Sequence, residues 1–159
     1  MIRLALLLLF VACGPGAKGG PAMNNHMGGP EPVVQGSDVI SNDILAREAA
    51  TNSSKVKHIL IGWKDLESAQ DERAKKRTKQ EAEALVRSLV KQLQGGADFD
   101  ALMKQNSEDP GSANGARSYD VSPDAQLVIE FKQLGLRLNV NEVGVVQSDY
   151  GFHIMKRVE

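Results

Sequence analysis

The stretch Ser148-Asp149-Tyr150-Gly151 followed by Phe152-His153-Ile154-Met155-Lys156-Arg157-Val158-Glu159 (SDYGFHIMKRVE) decides what kind of fold this chain adopts. Its first four residues read as a tight turn, because aspartate and glycine tolerate the backbone angles of a short hairpin loop. Phe152 to Val158 then alternates like a strand, and Val143 to Gln147 before the turn is rich in β-branched residues, so the two form a hairpin. Side chains of a strand alternate between faces, which puts His153 and Met155 on one side and Phe152 and Ile154 on the other. A histidine thus sits where an aliphatic residue would pack more easily. Lys55 to Gly62 (KVKHILIG) does the same far upstream, with Val56, His58 and Leu60 sharing a face. If the two strands are neighbours, His58 and His153 can meet as hydrogen-bond donor and acceptor, each setting the other's tautomer. On spacing alone, two unrelated core histidines are the favoured reading.

Helices are expected between these strands. Thr78-Lys79-Gln80-Glu81 is a capping box, followed by Ala82, Leu85, Val86, Leu89 and Leu93 at helical spacing and a stop at Gly95-Gly96. Asp98 caps a short helix bearing Phe99, Leu102 and Met103. The stretch SEDPGSANG reads as turn, and Ser122-Pro123 as the start of a helix with Leu127, Phe131 and Leu134 along one side. The first strand must join the hairpin to bury its apolar residues. The fold class is therefore α+β, a small antiparallel-type sheet with packed helices.

The first third reads differently. Residues 1–12 combine Arg3 with the apolar run Leu4 to Ala12, too short to cross a bilayer and suited to a signal peptide. The only cysteine, Cys13, follows Phe10-Val11-Ala12, which resembles the lipobox of bacterial lipoproteins, with Phe10 where leucine is usual. That resemblance implies lipidation of Cys13 and an exported protein held at a membrane surface. Gly14 lacks the aspartate that retains many lipoproteins in the inner membrane, which favours the periplasmic face of the outer membrane. Residues 13–54 are crowded with glycine and proline in their first half and read as a flexible tether. His26 is a solvated linker residue there, and Ser41 to Ala50 can form a short helix with Ile44 and Leu45 as its only apolar contacts. The domain proper is expected over residues 55–159.

With a formal net charge of -1, the chain has none of the basic excess of a nucleic-acid binder. It has no P-loop, and its one cysteine leaves the domain without a thiol nucleophile or an intrachain disulfide. A metal on His58 and His153 would lack further ligands nearby, so neither metal nor cofactor is expected.

VKHILI, DFDALMKQNSEDPGSANG and SDYGFHIMKRVE, in this order and spacing, resemble the parvulin-type peptidyl-prolyl isomerases over essentially all of residues 55–159. The resemblance implies a parvulin fold and isomerisation of X-Pro bonds in exported proteins, by a monomer that needs no cofactor. It implies His58 and His153 as the active-site histidines, Asp109 as the acidic group beside the reacting carbonyl, and Ser148 as a hydroxyl of the same cluster. Leu127 and Phe131 match the apolar proline pocket. Each has a plainer reading too: Asp109 and Ser148 suit turns, and Leu127 and Phe131 suit a packed helix face. After Asn114-Gly115 the family usually continues Asp-Leu-Gly and an aromatic, but here the chain reads Ala116-Arg117-Ser118-Tyr119-Asp120. Tyr119 stands in for the aromatic and a pocket leucine is lost, which supports an alternative: a parvulin-shaped chaperone or peptide-binding module with little catalysis. Phosphoserine-reading parvulins carry basic residues after the first strand. Here Arg73, Lys75, Lys76 and Arg77 mix with Asp65, Glu67, Asp71 and Glu72 as solvated helix-entry charges, so no phosphate before proline is required.

Overall fold

The computed structural model describes residues 37–159. Cys13, the signal segment, His26 and most of the tether lie outside the described residues. From Asn42 the elements are α1 (Asn42–Leu45), β1 (Ser54–Ile61), a 3-10 turn (Ala74–Lys76), α2 (Lys79–Gln94), α3 (Phe99–Asn106), α4 (Pro110–Gly115), β2 (Tyr119–Val121), α5 (Ile129–Gly135), β3 (Val143–Ser148) and β4 (Gly151–Arg157). The strands form one antiparallel sheet in the order β2-β1-β4-β3, as the α+β reading expects. The Thr78 box is formed reciprocally with Glu81, and the Asp98 side chain caps Ala101.

Alternation sorts the sheet into two faces. Ile59, Ile61, Phe152, Ile154 and Val145 pack with Val86 and Leu89 of α2 and Phe99 and Met103 of α3. The opposite face sets Val56, Val121, Met155 and Val146 against Phe131 and Leu134 of α5, with Ile44 of α1. Both histidines lie on this second face. Gly151 makes the hairpin possible: its φ of +131° suits only glycine well, and a Cβ there would sit 2.5 Å from the Ile61 carbonyl oxygen.

Four expectations need correction. Residues 37–54, read as tether, are part of the packed body. Ser41 donates its N–H to the Val145 carbonyl and accepts the Val145 N–H on its hydroxyl, which covers the open edge of β3. Ile44 is buried against Leu134 and Leu138, so two apolar residues were enough to dock the helix. Asp109-Pro110-Gly111-Ser112 begins a short helix rather than a turn, because the aspartate accepts the Ser112 N–H and proline fills the first position. The helix expected from Ser122 begins only after Val128, which is extended, while Ser122 to Leu127 folds into turns. Finally, β2 adds a fourth strand, too short for any period to announce it.

Candidate functional site

In the β1–β4 register His153 is paired with Leu60 and His58 with Met155, so the histidines are diagonal neighbours on one face, within reach of long side chains. Their Nδ1 atoms are 3.1 Å apart and both rings are buried. Beyond His153, its Nε2 lies 2.7 Å from the Ser148 hydroxyl, which accepts the Tyr150 N–H at 3.1 Å. Beyond His58, its Nε2 lies 3.2 Å from Asp109 Oδ2. Strand pairing and the hairpin turn place the first three side chains, and the N-cap of α4 places the fourth.

Asp109 Oδ2 also accepts the Ser112 N–H at 2.9 Å, the Ser112 hydroxyl at 2.7 Å and the Tyr119 hydroxyl at 2.7 Å. The His58 contact, followed by these donors, holds the carboxyl well below the usual carboxylate range despite partial burial. Burial, with the Asp109 bond, pushes the Tyr119 phenol up. Burial likewise pushes His153 down to about 3, helped by the neighbouring His58 imidazole. With Asp109 an anion, His58 Nε2 must carry a proton. With both rings neutral, every remaining bond then follows: Ser148 donates to His153 Nε2, and His153 Nδ1–H donates to His58 Nδ1. All the protons run one way, ending on Asp109, and each ring nitrogen has one partner.

Phe131 packs edge-on against both histidines, at 5.1 Å from His58 and 5.4 Å from His153, and Tyr119 packs edge-on against His58 at 5.1 Å. These groups open onto a cavity of about 240 Å³ lined also by Leu60, Leu127, Val128 and Tyr150. The structure thus brings His58, His153, Asp109, Tyr119, Leu127 and Phe131 to one cavity. Ser148 is not in its wall and is joined to it only by its hydrogen bond to His153. Sequence reasoning missed Leu60, Val128 and Tyr150 as lining residues, and Ser112 as the clamp on Asp109. The signal for Ser112 was present in the Asp-Pro-Gly-Ser spacing of a capped helix start.

The loop after β1 also departs from expectation. Arg77 is no solvated charge: it pairs at 2.8 Å with Glu108, whose side chain is 3% exposed, and donates to the Gly62 carbonyl. Glu108 accepts the Gly62 N–H as well. Arg73 grips Asp71 and donates to the carbonyls of Gln105 and Ser107. Among the described residues no group of three or more His, Cys, Asp or Glu is arranged to hold a metal ion.

Residues 42–159 match the family described as the PPIC-type PPIASE domain. Foldase protein PrsA of Geobacillus kaustophilus is 36% identical over 75 residues, 46% of this chain and 27% of that one. Chaperone SurA of Pseudomonas aeruginosa is 35% identical over 106 residues, 64% of this chain and 22% of that one. The matches thus span about a quarter of those relatives' length. Peptidyl-prolyl isomerase ESS1 from Candida albicans superposes with a TM-score of 0.58 at 22% identity, over 68% of this chain and 63% of that one, a likeness of fold.

Proposed function

The chain belongs to the PPIC-type PPIase domain family, and from that premise we propose that it isomerises X-Pro bonds and so assists the folding of exported proteins. The observation that carries this reading is an ionised carboxylate, fixed by four donors, at the lip of an apolar cavity. The barrier to rotation, about 18–20 kcal/mol, comes from amide resonance. Twisting the bond removes that resonance, so the carbonyl oxygen loses negative charge and the nitrogen gains basicity. A carboxylate beside the oxygen repels the planar amide more than the twisted one. An apolar seat of Leu127 and Phe131 holds the proline ring through the rotation. Together these favour the transition state over the ground state. No bond is made or broken, so no nucleophile is needed. His58 is the group that holds Asp109 in place, and His153 and Ser148 orient His58.

The protein acts, in this reading, as a monomer on proline-containing segments of unfolded exported chains. Export and a lipid on Cys13 belong to the same proposal and are supported by the MIRLALLLLFVAC segment, with the outer membrane's periplasmic face the favoured place. Incorporation of labelled fatty acid, abolished by Cys13→Ser, tests the anchor. A protease-coupled assay with the full chain and an Ala-Pro peptide tests the activity, with acceleration expected above the uncatalysed rate. Binding without acceleration would favour the second reading, a peptide-binding module with little turnover. Arg117 supports that reading, since it lies over the Tyr119 ring at 5.0 Å, near the position where the family keeps a pocket leucine.

A further inference from the structure

Among the described residues every arginine but one is engaged. Arg47, Arg73, Arg77 and Arg87 pair with the carboxylates of Glu142, Asp71, Glu108 and Asp38. Arg137 and Arg157 donate to the backbone carbonyls of Arg47 and Leu138. The guanidinium of Arg117 finds neither a carboxylate nor a carbonyl among these residues, and the acid nearest in sequence, Asp120, is turned to Lys55 at 3.9 Å. Arg117 is exposed, yet it is held in place. Ala116 ends α4 in the left-handed conformation, φ 49°, and turns the chain so that the Arg117 N–H reaches the Gly111 carbonyl at 3.4 Å. The Arg117 stem runs beside Gly111, where a Cβ would lie 3.6 Å from Arg117 Cδ and 3.1 Å from the Tyr119 hydroxyl. The guanidinium then stands 5.0 Å over the Tyr119 ring, a cation–π placement. A fixed positive charge thus rests on the tyrosine that both lines the proline cavity and donates to Asp109.

We propose that Arg117 is a specificity-determining residue, which favours segments carrying an aspartate or glutamate at either of the two positions after proline by pairing with that carboxylate. The proposal rests on the isomerase reading for the direction in which the peptide lies. Tyr119 stands opposite Val56 on β1, and Leu60, in the same cavity wall, is about 13 Å further along that strand. The cavity therefore has a Leu60 and Tyr150 end and a Tyr119 end, with His58 between them. The carbonyl before proline lies beside Asp109 and the ring on Leu127 and Phe131. A chain whose N-terminal side points toward Leu60 and Tyr150 then leaves past Tyr119 and Arg117. The chemistry of the side chain suits this task. A cation–π contact uses none of the guanidinium N–H groups as hydrogen-bond donors, so the fork remains able to take a carboxylate in a bidentate pair. Packing on Tyr119 and Gly111 has already removed part of the side chain's rotamer freedom, which lowers the entropy lost on pairing. Asp109 opposes this attraction only weakly, because its own charge is shared among four donors.

The test uses the full chain, isotope-labelled, titrated with Ala-Pro peptides that carry Glu, Gln or Lys at either position after proline, and with one that carries Glu before it. Binding is read from amide shifts, and isomerisation of the same peptides is measured in parallel. A Glu peptide is expected to bind about threefold tighter than its Gln counterpart, with Lys weakest, and the preference should shrink as salt is raised. The decisive quantity is the ratio of affinities on one variant, in which any general loss of binding cancels. Arg117→Gln should bring the ratio of Glu to Gln to one, and Arg117→Glu should turn the preference toward Lys. Equal binding of Glu and Gln peptides by the wild type overturns the proposal. So does a preference that survives Arg117→Gln, a stronger preference for Glu before proline, or an Arg117→Gln variant that loses affinity for all the peptides alike, which would make the arginine a support for Tyr119 alone. A charge preference in binding without any isomerisation would leave the Arg117 contact standing and remove the catalytic reading. Isomerisation of every peptide without preference would do the reverse.

Discussion

The two faces of the sheet come from the same strands and differ in what they ask of each residue. Toward α2 and α3, Ile59, Ile61, Phe152 and Ile154 form a continuous apolar layer with no polar group to satisfy. Toward α5, the same strands interpose His58, His153 and Ser148 among Val56, Met155 and Val146. Burying three polar side chains costs stability unless each finds a partner. The chain from Ser148 to Asp109 supplies one for every ring nitrogen, and it ends on a carboxylate that protrudes into the cavity. One face therefore carries stability, and the other spends part of it on a polarised site. A one-residue alternation is all that separates the two roles.

The sharpest way to break this contrast is Phe152→Ala on the apolar face. It should cost about 4 kcal/mol in urea unfolding, while the folded fraction keeps its pH profile of activity. Asp109→Ala strikes the other face and should lower kcat/KM about 100-fold, the scale of losing a fixed electrostatic group. Its stability cost should be smaller than that of Phe152→Ala. Equal stability losses from the two would show that the faces are not specialised.

His153→Leu should cost about 2 kcal/mol, because His58 and Ser148 lose a partner, and it should also change the pH dependence. Folded His153 titrates at about 3 against 6.5 for an ordinary histidine, so between those values the unfolded chain holds a proton that the folded chain refuses. The wild type is thus most stable above that window and loses up to about 1.4 kcal/mol per pH unit as pH falls through it. Asp109, whose folded value is also depressed, adds its own loss below about pH 4. Urea midpoints measured from pH 7 to 4 should fall steeply for the wild type and more gently for His153→Leu. The smallest effect is expected from Tyr119→Phe. Removing one of four donors on Asp109 should cost about 1 kcal/mol and only a few-fold in activity, checked by the same unfolding and peptide assays.

Much of this was legible in the sequence because it depends on local signals. Thr78 with Glu81, Asp98 before Phe99, and the turn before Gly151 each announce themselves within a few residues, since caps and tight turns are satisfied by near neighbours. The alternation around His58 and His153 fixed which residues share a face. It could not say that the strands are adjacent, nor choose between two isolated histidines and a bonded pair, because that depends on register. Register is set by the packing of whole faces. Only the tertiary structure decided that Leu60 stands opposite His153 and leaves the histidines diagonal. It also decided that Arg77 is paired with Glu108 rather than solvated, and that Ile44 and Ser41 close the open side of β3. These pairings join residues dozens of positions apart. Nothing in the chemistry of either partner alone selects the other, so they exist only once the sheet has brought them together.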